Sequence, residues 1–525
     1  MSFWDRRQAM GWAAALLGGS VLVSRFMGLA RDKVISYYFG ATEESDVYFA
    51  AFVIPDFINY LLAGAYFSIT LIPLLSQLFQ KDEEDAWRFF SAVTFWTAIM
   101  SSALCAAVVF WAQPLARWAA PGLSPEAAKR LAFFLRIVAP AQVFFLLGSC
   151  FSAILYLRKQ FQAPALTPLI YNGFIIAIGV LMRRSGMSGF CWGVLVGAFL
   201  GNFFLPVTAV RHGGGFRWRW TVWHPWLKKF LALALPLMIG QSVVVLDEQL
   251  VRIFGSLAAV GAISWLNYAR RIMLVPVGVV AQAAGTASYP FLAEAYSSGN
   301  MAKFFETLNT AFRHTLAILI PVSFWMILCA KPIIILIFQQ GRFGVTDTVE
   351  TVWALRLFLI VVFCWGIQQI LGRAYYARQD TITPAVIGTL CTMAVIPLYY
   401  VAAVHGGARG VAGASAFSVA LYTGVLCLWW KHRMGAQAFQ GILNPSLRLT
   451  LVTLTAGIPS TLPLLWPSRW LLSNELLQAL CQLALSGVIF TVTFFTLGLR
   501  WAKDLVRPLY QRLPLPKPLR SKFPQ

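Results

Sequence analysis

Runs of about twenty apolar residues follow one another along almost the whole chain, with connections too short to hold a folded domain between them. A helix needs roughly 20 apolar residues to cross a bilayer. Inside lipid, every backbone N–H and C=O must be bonded within the protein, which leaves helices or closed barrels. Runs of this length point to helices. Only 12% of the 525 residues are charged, against roughly 25% in a soluble domain. The predicted class is therefore all-α and polytopic.

Fourteen spans are predicted. The first six lie near 10–39, 46–78, 88–112, 127–157, 163–183 and 187–210. A basic break, RHGGGFRWRWTVWHPWLKK, separates them from eight more near 227–255, 260–293, 304–329, 347–377, 382–404, 408–431, 447–467 and 473–499. The N-terminus resembles a signal peptide, but its apolar run continues into Ser24-Arg25 without a turn, which favours an uncleaved first helix. With that end in the cytoplasm, Arg6, Arg7, Arg158, Lys159, Arg211, Arg217, Arg219, Lys228, Lys229, Lys431, Arg433 and the basic tail also face inward. The positive-inside bias thus predicts both termini in the cytoplasm. It also accounts for the net charge of +22 through loop topology and anionic lipid headgroups rather than nucleic acid.

A weak internal repeat suggests how the spans are grouped. Asp32 stands eight residues before Gly40, and Asp247 eight before Gly255; each leads through a short turn to a hydrophobic-proline pair, Ile54-Pro55 and Val275-Pro276. The expected division is a first six-helix lobe over 1–210 and a second over 225–432. Two further helices follow over 445–500, then a basic tail over 501–525. Prolines within the spans, such as Pro140, Pro206 and Pro276, predict kinks.

Charges inside apolar spans are costly and mark function or pairing. They fall into three sets: Arg25, Arg31, Asp32 and Lys33 in the first span; Asp247, Glu248 and Arg252 in the seventh; Arg270 and Arg271 in the eighth. Glu248 and Arg252 are spaced i,i+4 and can pair. Long arginines can instead snorkel to the interface. The surplus of arginine over carboxylate points to an anionic partner, and a guanidinium binds phosphate bidentately. A cavity arginine is not a packing residue, so its removal is expected to leave the fold intact. Eight scattered cysteines without CxxC, and histidines without ligand spacing, suggest no disulfide or metal site. The acidic run at 82–85 reads as a solvated turn. No phosphate-binding glycine loop and no catalytic constellation appears, so a transporter is expected, with no catalytic residue and no cofactor.

These residues resemble the MurJ (MviN) family of lipid II flippases, within the multidrug/oligosaccharidyl-lipid/polysaccharide exporter superfamily. The resemblance is carried by Ser24-Arg25, Gly28-x-x-Arg31-Asp32, Gly40-Ala41, Ser45-Asp46, Ala51-Phe52-x-Ile54-Pro55 and Ala65-x-Phe67-Ser68. It continues through Ser264-Trp265-Leu266-Asn267-Tyr268-Ala269-x-Arg271, Gly341-Arg342-Phe343, Tyr375-Tyr376-Ala377-Arg378-Gln379-Asp380 and Thr383-Pro384. It implies a V-shaped cavity between two lobes, arginines around a lipid-linked pyrophosphate sugar, and a groove on the last two helices for the polyprenyl tail. Many relatives carry a basic pair where Asn59-Tyr60 stands here.

The residues expected at the substrate are Arg25, Arg31, Asp46, Asn59, Arg252, Arg270 and Arg271, with Asp247 and Glu248 as candidates for ion coupling. Coupling to the membrane potential or to a monovalent cation is the expected energy source. The expected partners are lipid II, membrane lipids and other cell-wall synthesis proteins, in the bacterial cytoplasmic membrane, with roles in peptidoglycan biosynthesis and cell shape. A flippase for another polyprenyl-linked oligosaccharide is the nearest alternative. A drug/cation antiporter of the same fold would want a more acidic cavity.

Overall fold

A computed structural model describes residues 10–63, 70–213, 216–241, 246–465 and 474–512. The Ala65-x-Phe67-Ser68 motif, the first nine residues and the end of the basic tail lie outside the described residues. Those described form helices joined by short turns, with no strand among them. Among the described residues nine helices are long and apolar enough to cross a membrane, ten if a pair bent by 42° is taken as one span. The chain is an all-α, multi-pass membrane protein.

Besides short helices such as Ala112–Ala119, Ala330–Ile337 and Lys503–Arg512, fourteen longer helical stretches appear in order among the described residues. They are α1 (Met10–Phe39), α2 (43–50, 53–63 and 70–81), α3 (Glu83–Phe110), α4 (Pro125–Leu157), α5 (Gln162–Leu181), α6 (Ser188–His212) and α7 (226–241 and 246–255). Then come α8 (Ala262–Ser297), α9 (Met301–Leu328), α10 (345–377), α11 (382–406), α12 (408–434), α13 (Gln437–Leu465) and α14 (Glu475–Trp501). Helix runs without interruption through α11 and α12 for 53 residues, except at Gly407 (φ +56°). A Cβ on Gly410 would lie 2.0 Å from Ala402 O. Eight residues of straight helix would separate these by about 12 Å, so the chain folds back here as two spans.

Local chemistry sets the ends of the spans. Asp82 accepts the Glu84 N–H at 2.8 Å, and Glu83, Glu84 and Asp85 fill the first turn of α3. The acidic run is therefore a helix N-terminus, where carboxylates meet unpaired N–H groups. Ser124, Asn300 and Asn474 cap α4, α9 and α14 in the same way. Prolines leave the expected irregularities: Pro140 divides α4, and π-helical segments lie beside Pro206 and Pro276. Removing one N–H from the ladder is the physical cause.

The chain forms two compact units: Met1–Tyr268 with Gln340–Gly344 and Ile396–Val411, and Ala269–Gln339 with Val345–Val395 and Ala412–Gln525. Residues 225–268 therefore group with the N-terminal half, whereas the sequence reading placed them at the start of a second lobe. In the first unit, Gly189, Gly193, Gly197 and Gly201 recur every four residues on α6. A Cβ on Gly193 would meet Ile175 Cα at 2.8 Å, and one on Gly197 would meet Tyr171 O at 2.8 Å. This small-residue stripe lets the α5 and α6 backbones touch, as membrane helices do when hydrophobic contrast with lipid is absent. In the second unit, Phe304, Leu308, Ile370, Tyr375 and Trp430 form one core, and Leu449, Val452, Phe490 and Phe494 another.

The same turn closes α4 and α10. Lys159 (φ +59°) and Gln379 (φ +60°) are the two non-glycine residues with positive φ among those described. Gln160 N donates to Leu155 O at 2.9 Å, and Asp380 N to Tyr375 O at 3.0 Å. The two helices thus end in the same backbone geometry, 220 residues apart.

Candidate functional site

Arg31 and Asp32 lie two turns from the end of α1. The Arg31 guanidinium contacts Asp32 Oδ1 through Nε and Nη2, both at 3.1 Å, and donates from Nη1 to Asn172 Oδ1 on α5 at 3.3 Å. Asn172 is oriented by its own bond from Nδ2 to Pro168 O. The Arg31 side chain is 13% exposed and Asp32 fully buried, so Arg31 does not snorkel to the interface. Arg25, about a turn and a half earlier on α1, is half-buried.

A second cluster joins α2 and α7. Arg252 donates from Nη1 to Asp56 Oδ2 at 2.8 Å and from Nη2 to Glu248 Oε1 at 2.6 Å, with Gln249 Oε1 at 3.3 Å. Its side chain is 10% exposed. The i,i+4 pair expected from spacing is present, and Asp56 makes it a three-member link between helices. Asn59, one turn beyond Asp56, is half-buried on α2. Asp247 is buried and accepts the Tyr399 hydroxyl at 2.5 Å, while Tyr399 stacks on Phe254 at 5.6 Å. Asp56 and Glu248 thus meet on one guanidinium, with Asp247 next to Glu248 in the chain.

Asp46 occupies a different setting from the one expected of a substrate contact. Its carboxylate accepts Gly261 N at 2.6 Å, Ser264 N at 2.8 Å and the Ser264 hydroxyl at 2.6 Å, and the residue is buried. These N–H groups belong to the first turn of α8, so Asp46 caps that helix from a distance. The surrounding knot explains several motifs. Gly341 has φ +63°, and a Cβ there would lie 2.2 Å from Tyr37 O. Arg342 N donates to that same carbonyl at 3.0 Å, and Phe343 packs edge-on against Tyr268 at 5.7 Å. The Gly341-Arg342-Phe343 and Ser45-Asp46 motifs thus fasten the end of α1 and the start of α8.

In the second unit, Arg270 is buried with its guanidinium 5.8 Å from the Trp365 ring centre. Arg271 is half-buried beside it. A cleft of about 920 Å³ opens among α9, α10, α13 and α14, bordered by Lys331, Trp353, Arg356, Leu465, Glu475 and Gln482. The Asp380 motif is structural: its carboxylate takes the Thr383 N–H at 3.0 Å and hydroxyl at 2.8 Å, closing the turn into α11.

Sequence reasoning named the arginines but not all of their partners. Asn172 and Tyr399 carry no charge, and nothing in a linear reading marks them. Asp56 is an acid within an apolar span, a residue type that marks pairing or function, but nothing in a linear reading joins it to Arg252.

Comparison with known proteins follows the same lines. A family model described as "Lipid II flippase MurJ" matches residues 35–480. The probable lipid II flippase MurJ of Buchnera aphidicola subsp. Schizaphis graminum is 25% identical over 516 residues, covering 92% of this chain and 96% of that protein. The lipid II flippase MurJ of Burkholderia cenocepacia is 28% identical over 389 residues, covering 71% and 75%. A solved structure of a lipid II flippase MurJ in an inward closed conformation superposes with a TM-score of 0.79 at 25% identity, over 94% of this chain and all of that one. An inward-facing MATE multidrug resistance transporter reaches 0.65 at 16% identity over 82% of this chain, a likeness of fold.

Proposed function

The chain belongs to the lipid II flippase MurJ family, and from that premise we propose that it moves lipid II across the bacterial cytoplasmic membrane, from the cytoplasmic leaflet to the outer one. It acts as a transporter rather than an enzyme. The observation that carries this reading is the family match over residues 35–480, most of the membrane-spanning chain. Arginines held within the spans add to it. Alternating access lets the polar head of the lipid cross within protein while the polyprenyl tail stays in hydrocarbon, which avoids exposing apolar surface to water.

Arg25, Arg270 and Arg271 are proposed to meet the pyrophosphate, with Asn59 contributing a neutral polar contact, while Arg31, engaged by Asp32 and Asn172, is proposed to hold α1 against α5. Asp46 and Arg252 take positioning roles, because their polar atoms are engaged by α8 and by Asp56 and Glu248. Asp247 and Glu248 are proposed for coupling to a monovalent cation, supported by the meeting of Asp56 and Glu248 on the Arg252 guanidinium within the spans. The membrane potential contributes about 2.3 kcal/mol per charge per 100 mV. Exposed leucines on α13 and α14, including Leu451, Leu454, Leu480 and Leu485, suit the tail. Both termini are placed in the cytoplasm by the loop cations.

Native mass spectrometry of the purified protein tests the substrate. The expected co-purified lipid is an undecaprenyl pyrophosphate bearing a disaccharide-peptide. A polyprenyl oligosaccharide without peptide would overturn the substrate and leave the fold standing.

A further inference from the structure

The segment 216–229, FRWRWTVWHPWLKK, leads from α6 into α7. It has no regular structure as far as the start of α7 and is pinned along the first turns of α3. Arg219 Nη2 meets Glu84 at 3.4 Å, and Arg219 N donates to Ser91 Oγ at 3.3 Å. His224 Nδ1 accepts the Trp226 N–H at 3.2 Å, which leaves Nε2 to donate to Asp85 at 3.1 Å. The Trp96 indole N–H bonds Val222 O at 2.8 Å. One side of the segment is therefore fastened.

The other side is open and has a particular chemistry. Trp220 is 84% exposed and Trp223 57% exposed. Arg217, Lys228 and Lys229 are exposed and form no ion pair among the described residues. Lys229 lies 4.8 Å from the Trp226 ring centre and Lys228 5.9 Å from Trp223. Tryptophan prefers the boundary between headgroups and acyl chains, where the ring is shielded and the N–H stays wet. Cations beside such rings reach the phosphate layer. In water, a pinned apolar patch of this kind would be a liability. We propose that this segment is an interfacial anchor that binds anionic phospholipid headgroups, with Trp220 and Trp223 seated at the acyl boundary and Arg217, Lys228 and Lys229 on phosphates. Positive charge against an anionic leaflet supplies the complementarity.

The test needs no substrate, so its failure is separable from that of the flippase reading. The protein is reconstituted in nanodiscs of phosphatidylcholine mixed with phosphatidylglycerol, and retained lipids are counted by native mass spectrometry. Wild type is expected to retain phosphatidylglycerol preferentially. Arg217→Gln, Lys228→Gln and Lys229→Gln combined should reduce that preference by at least about tenfold, since each surface cation contributes about fivefold. The substitutions leave the Arg219–Glu84 and His224–Asp85 fastenings in place. Should the triple variant misfold, wild type in about 1 M salt gives the same readout, because screening then acts within about 3 Å. Retention unchanged by salt or by substitution overturns the proposal. A spin label at Val222→Cys, with Cys427 and Cys481 replaced by serine because the other cysteines are buried, should be reached by oxygen more than by an aqueous nickel chelate. A label open to the chelate on bilayers of either composition would point to a soluble partner and also overturn it.

Discussion

Arg31→Ala is expected to abolish growth rescue of a flippase-depleted cell and to lower the thermal midpoint of the purified protein. The sequence reading expected a cavity arginine whose removal spares the fold. The structure places it among packed helices instead, shared between Asp32 and Asn172. Breaking a buried ion pair by removing one partner costs about 3–5 kcal/mol, and Asp32 is fully buried. Arg31→Lys keeps the charge but loses the planar fork that spans both partners. It should fall between, losing about 1.5–3 kcal/mol from one charged hydrogen bond. Complementation at graded expression and thermal unfolding in detergent measure the two effects separately. Full rescue by lysine with an unchanged midpoint would reduce Arg31 to a point charge.

Arg252→Ala carries the second large effect. It leaves Asp56 and Glu248, each about a quarter exposed, facing one another without the guanidinium that neutralises them. The expected loss is about 3 kcal/mol, at the lower end for a broken pair because water reaches the carboxylates. Repulsion is the larger part, so the cost should be recovered substantially by adding Asp56→Asn and Glu248→Gln. The two amides keep the shape of the carboxylates and remove the repulsion between them. Thermal midpoints of the single, double and triple variants close the cycle. A midpoint for Arg252→Ala equal to wild type would mean that Arg252 does not hold α2 to α7, and would return it to the set of substrate contacts.

Helices, their approximate limits and the intramembrane charges were legible in the sequence because hydropathy and ionisation are properties of single residues. The Glu248–Arg252 pair was legible too, since i,i+4 spacing is local. The role of Asp46 was not. It is defined by the N–H groups of Gly261 and Ser264, more than two hundred positions away, and no periodicity connects them. Asn172 is hidden for the same reason, at a separation of 141 residues from Arg31. The glycine stripe on α6 is visible in the sequence at four-residue spacing, but composition alone counts glycines without showing which face they share. The acidic run at 82–85 looked like a solvated turn, yet it caps α3 and fastens the 216–226 segment through Arg219 and His224.

The central claim is transport of one lipid by this chain alone. Purified protein in liposomes containing lipid II labelled on its peptide, with the label on outward-exposed molecules destroyed by an impermeant quencher, measures it directly. The account predicts that wild type carries labelled lipid II between leaflets far faster than protein-free liposomes do, and that Arg31→Ala does not. Equal rates for wild type, Arg31→Ala and empty liposomes, with folded protein in each, would contradict it.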